Sequence, residues 1–135
     1  MPEPFTADDR RRMRIVSAGM LVGVLGILGI ALCAREIMKP AGVPFVSWFA
    51  VGFALVAPLL AATVDRARPD RTSAPPPGAP SAAVVRHLVA NATLEAAGLL
   101  CGVALLIGSN LLPLAAALVP IGAMVLRFPR ASARA

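Results

Sequence analysis

Three polar residues stand at helical spacing inside an apolar stretch: an imidazole, an amide and an acid, at His87, Asn91 and Glu95. They belong to the run His87 to Ser109, HLVANATLEAAGLLCGVALLIGS, which is long and apolar enough to cross a bilayer. On a helix turning about 100° per residue, His87, Asn91, Glu95, Gly98 and Gly102 follow at intervals of four, four, three and four. All five lie within roughly 80° of arc, and Ser109 falls in the same sector. The chemistry such a stripe offers is proton or cation exchange at Glu95, with Asn91 one turn and His87 two turns nearer the membrane surface. An acid near mid-membrane costs about 2.5–3.5 kcal/mol on insertion scales, so it needs a partner. Within the chain, Ser17 and Ser47 are candidates, as is a second copy. The competing reading is structural: glycines let two helices approach closely, and polar side chains bond across the contact. Gly98 and Gly102 then serve packing together with Gly19, Gly23 and Gly26 of an earlier block.

The rest of the chain must hold that stripe in lipid. Of 135 residues 58% are hydrophobic, and the mean hydropathy is +0.78. A soluble domain of this size needs a more polar surface, and here the apolar residues come in blocks, so an all-α integral membrane protein is expected. Block one, 15–34, carries no charge and is too long for the core of a signal peptide, which marks it as a retained span. Its Gly19-x-x-x-Gly23 has small-xxx-small spacing. Block two, 43–64, has Trp48 near its start, where an interfacial aromatic belongs, and Pro58 inside it. Block three is 82–107. Gly108-Ser109-Asn110 makes a tight turn into block four, 111–126, which is short for a full crossing and holds Pro113 and Pro120.

Between these blocks lie polar segments. The tail 1–14 contains Arg10, Arg11, Arg12 and Arg14, with Thr6 or Asp8 as caps for a short helix along the membrane surface. Residues 65–81 are charged and then proline-rich, DRARPDRTSAPPPGAPS, and are expected to form a mobile linker. The tail 127–135 is basic. The charge of +6 is almost wholly arginine and flanks apolar blocks, so it reports threading rather than nucleic-acid binding. Four crossings place eleven Lys and Arg on one side and Arg35 and Lys39 on the other, which orients both tails to the cytoplasm. The Ala, Arg and Pro bias, with one Lys and no Tyr, is that of a high-GC bacterial genome, hence a bacterial inner membrane. Cys33 and Cys101 both sit in apolar blocks without metal-ligand spacing, where cysteine acts as a small hydrophobe.

Leu94-Glu95-Ala96, running on through small and apolar residues to Gly102-Val103-Ala104-Leu105-Leu106, resembles the carboxylate helix of the c-subunit proteolipids of rotary ATP synthases. Glycine-rich block one resembles their packing helix. The resemblance implies one role, a proton site at Glu95. The glycine after the acid stands one position late, block two and the linker intervene between the two helices, and the polar hairpin that meets the rotor stalk is missing. Small multidrug exporters carry their acid in the first helix, and block one has none. Metalloprotease, hydrolase and phosphate-loop motifs are not found, so no enzyme, cofactor or metal is expected. The expected fold is four transmembrane helices as two hairpins. The expected role is a structural or accessory subunit in contact with lipid and with a second copy or a larger membrane complex. Ion coupling through Glu95 is the alternative.

Overall fold

The computed structural model describes residues 7–38, 42–67 and 80–128. The uncharged run of block one propagates a helix in both directions, giving α1, Ala7–Met38. Asp8 and Asp9 in its first turn and Arg35 in its last oppose the helix dipole favourably. Asp8 also pairs with Arg12 one turn on, at 2.8 Å. A separate surface helix before block one is therefore not what forms: Ala7 to Met38 is continuous, because no glycine or proline interrupts the Arg10–Arg14 segment.

Helix α2, Pro44–Arg66, opens with a proline in its first turn, where the missing N–H costs nothing. Helix α3, Ala82–Ile107, is capped by the Ser81 side chain, which accepts from the Val84 amide at 3.4 Å. Helix α4, Leu112–Leu126, is the short one. At 1.5 Å per residue it is about 22 Å long, against roughly 30 Å of bilayer core. The other three helices are long and apolar enough to cross a membrane. No strand occurs among the described residues.

Helix α3 is the hub. It packs against α1, α2 and α4, α2 also packs against α4, and α1 and α2 make no contact among the described residues. Half of α3's apolar window is buried, against 22% for α1 and 28% for α2, so the latter two are flanking helices. The sequence-adjacent pair α3–α4 is thus a packed hairpin, whereas α1 and α2 are separated by α3. The reason lies in the small residues. On α2, Ser47, Ala50, Ala54, Ala57 and Ala61 are all buried and recur at intervals of three and four, the repeat of a left-handed helix pair. They lie against α3 through contacts such as the Cys101 thiol, which faces the Ala50 carbonyl at 3.8 Å. The other side of α3 presents Gly98 and Gly102 to Val24 and Ile27 of α1.

Long-range hydrogen bonds fix the direction of each helix. Ser17, early in α1, meets Asn91, early in α3, while Arg35, late in α1, meets residues 108–110 after α3. Helices α1 and α3 are parallel. Asp65 at the end of α2 and Arg127 after α4 join at the Asn91 end, so α2 and α4 run the other way. The outward surface is apolar, with Ile15, Val22, Leu59 and Leu118 each more than 60% exposed. In water that surface would drive aggregation, and in lipid it is the natural solvent contact.

Candidate functional site

Asn91 is the centre of a polar cluster at one end of the bundle. Its position on α3 points it between α1 and the end of α4, where only 1% of its surface is exposed. A buried amide must find partners. Its Nδ2 donates to Ser17 Oγ at 2.9 Å and lies 3.2 Å from His87 Nε2. An amide nitrogen only donates, so His87 accepts at Nε2 and carries its proton on Nδ1. Asn91 Oδ1 accepts from Arg127 Nε at 3.3 Å. Arg127 then grips Asp65 with both terminal nitrogens: Nη2 donates to Oδ1 at 2.9 Å, and Nη1 donates to Oδ2. A forked guanidinium on a carboxylate is the strongest geometry available to such a pair. The cluster therefore takes Ser17 from α1, Asp65 from α2, His87 and Asn91 from α3, and Arg127 from the end of α4.

The cluster also accounts for the length of α4. Asn91 lies 17 residues before Gly108, about 26 Å along α3, and Arg127 lies 16 residues after Leu111, about 24 Å along α4. The short helix reaches the level of Asn91, and the long Arg127 side chain closes the gap.

Glu95 stands apart from this cluster. It is half-buried at the edge of the α1–α3 contact, and its Oε1 lies 3.6 Å from where a Cβ on Gly23 would be. No hydrogen bond or ion pair reaches it among the described residues. The ladder His87–Asn91–Glu95 thus has its first rung and not its second. Neither serine candidate serves Glu95, since Ser17 is bonded to Asn91 and Ser47 lies at the opposite end, against Gly108.

The five glycines divide by face. A Cβ on Gly98 would stand 2.5 Å from Val24 Cγ1, and one on Gly102 would stand 3.0 Å from Ile27 Cγ2. These two permit the close approach of α1 to α3. Gly19 and Gly26 have nothing within 4 Å, and Gly23 meets only the Glu95 carboxylate. The block-one glycines face outward.

Three functional side chains escaped the sequence analysis. Arg127 enters the sequence reading only through charge, and Asp65 only as the first residue of the linker. The signal available was an arginine and an aspartate each directly following an apolar block on the same side. Arg35 was placed in a loop, and it lies in the last turn of α1. Its guanidinium donates to the carbonyls of Gly108 at 3.2 Å, Asn110 at 2.8 Å and Ser109. It thereby caps the negative end of α3 and staples α1 to the α3–α4 turn. Cys33 is exposed and Cys101 is buried, and both are free thiols. In comparison with known proteins, no family, no curated sequence and no solved structure matches this chain.

Proposed function

We propose that this chain is a small structural or accessory subunit of a membrane assembly, threaded four times through a bacterial inner membrane. The clustered end and both tails face the cytoplasm. One observation carries the assembly reading: Ser17, Asn91, Arg127 and Asp65 are bonded to one another and tie all four helices together. Those groups serve cohesion of the bundle and are not arrayed along a path. The orientation rests on the charge asymmetry. Arg10, Arg11, Arg12, Arg14, Arg66, Arg86 and Arg127 lie at the clustered end, whereas Arg35 at the other end is already held by carbonyls.

A second reading is favoured by Glu95 alone. An acid without a polar partner at the bundle surface, about 20 Å from the Gly108 end of α3, is placed to exchange a proton or a cation, the role implied by the proteolipid resemblance. Glu95→Gln separates the two readings, because glutamine keeps shape and hydrogen bonding and cannot carry a proton. The assembly reading expects the variant to keep its co-purifying partners in mild detergent and to leave ion flux into proteoliposomes unchanged. Intact assembly with lost flux would replace it with the transport reading.

A further inference from the structure

We infer that His87 is a proton-operated latch: a proton taken up at Nε2 turns the Asn91 amide over, which releases Arg127 and parts the α1–α3 pair from the α2–α4 pair at this end. The inference goes beyond the assembly reading and does not depend on it. Two sets of bonds meet at Asn91. On one side its Nδ2 serves Ser17 of α1 at 2.9 Å and His87 of α3 at 3.2 Å. On the other its Oδ1 accepts from Arg127 Nε at 3.3 Å, and Arg127 holds Asp65 of α2. Asn91 is buried, so water does not replace a partner that it loses.

The arrangement holds only for a neutral ring. A neutral imidazole accepts at Nε2, whereas an imidazolium carries N–H at both nitrogens. Two donors then face each other across 3.2 Å. Turning the amide about its Cβ–Cγ bond removes that conflict. Oδ1 then accepts from His87 Nε2 and from the Ser17 hydroxyl, which donates as readily as it accepts. The same turn sets Nδ2 against Arg127 Nε, donor to donor, so that bond is the one lost. The charges that reach the ring are Arg127 from the end of α4, which repels an imidazolium, and Asp65 from the end of α2, which attracts it. On α1, Arg14 stands one turn before Ser17, at the level of His87. His87 is half-buried and is the chain's single histidine, the side chain whose ordinary range lies between about pH 5 and 8.

Hydrogen exchange reads the latch at the amides of Arg127 and Phe128, which donate to the Ala123 and Val125 carbonyls. The full-length protein is held in lipid nanodiscs, and exchange is referenced at each pH to an unstructured peptide. Nitrogen-15 NMR of the labelled ring follows its protonation in the same samples. Protection at both amides is expected to fall by about three- to tenfold as the ring gains its proton, the worth of one hydrogen bond. His87→Gln accepts through its Oε1 and takes up no proton, so its protection is expected to stay level across the range. Asn91→Asp presents only acceptors, so an imidazolium gains a partner there, and protection is expected to hold or rise on acidification. A fall in His87→Gln equal to that of the wild type, the same fall in Asn91→Asp, or unchanged protection while the wild-type ring protonates would overturn the latch. So would a ring that stays neutral down to about pH 5.

Discussion

Alanine placed at Gly98 should leave the protein less stable than alanine placed at Gly26. Both sites are mid-helix, so both gain about 1 kcal/mol of helix propensity, and that gain cancels in the comparison. The difference left is the contact. At Gly26 the new methyl meets nothing within 4 Å. At Gly98 it meets Val24 Cγ1 at 2.5 Å and Cγ2 at 3.0 Å. Val24 is fully buried and β-branched, so its side chain cannot rotate away, and α1 must shift instead. Overpacking of this kind costs about 1–3 kcal/mol, or about 5- to 150-fold in the unfolding equilibrium. Gly26→Ala should therefore be stabilised by about 1 kcal/mol, and Gly98→Ala should lie about 1–3 kcal/mol below it. Removing the offending atoms tests the cause. With Val24→Ala the nearest remaining atom is the Cβ, at 3.4 Å, an ordinary contact, so the double variant should be more stable than the sum of the two single changes predicts, although Val24→Ala alone is destabilising. Unfolding by SDS titration in mixed micelles, followed by circular dichroism, measures the wild type, the three single variants and the double variant. Equal stability of Gly98→Ala and Gly26→Ala, or a double variant no better than the sum of its parts, would refute the close α1–α3 packing.

Other perturbations address the polar contacts. Asn91→Ala should cost about 1–2 kcal/mol, because it frees Ser17 and Arg127 together. In a double-mutant cycle Ser17→Ala should add little to it, and full additivity would show the two groups to be independent. Asp65→Asn should cost only about 0.2–1 kcal/mol, since the pair is partly solvated, with 19% and 39% of the Arg127 and Asp65 side chains exposed. Arg127→Gln should cost more, about 1–3 kcal/mol, because it also takes the donor from the buried Asn91 Oδ1, and equal effects of the two would show that Asn91 does not depend on Arg127. Arg35→Ala should release the α3–α4 turn, read as faster hydrogen exchange at the amides of residues 108–111. Arg35→Lys should restore protection only in part, because a single ammonium cannot span three carbonyls as a fork does. Unchanged exchange in Arg35→Ala would show that the turn holds itself.

How much of this was legible in the sequence depended on range. Period and block length are local properties, and they predict an apolar helix where α3, Ala82–Ile107, forms, with Asn91, Gly98 and Gly102 sharing the face that meets α1. Helix α1 ran further than its apolar core at both ends, because charged residues at a helix terminus extend it as readily as leucines do. The orientation of the block-one glycines was not legible. Spacing shows that a glycine face exists and says nothing of whether it meets the same chain. The contacts of Arg127 with Asp65 and of Arg35 with residues 108–110 span 62 to 75 positions, and no local pattern pairs residues that far apart. The sequence offers Ser17 as a partner for Glu95, and it bonds Asn91 instead, one turn before. The order of helices was also beyond local reach, since a short loop suggested that α1 and α2 should touch, and the alanine and glycine faces of α3 draw them to opposite sides.

The central claim is that four helices alternate through the bilayer with the Asn91 cluster at the cytoplasmic end. It is tested most directly by single cysteines at Ser81 and Ser109, in a Cys33→Ser, Cys101→Ser background, labelled in intact bacterial cells with a maleimide that cannot cross the inner membrane. Ser109→Cys should label from outside, and Ser81→Cys should label only after the cells are opened. Labelling of both positions from the same side would contradict the account.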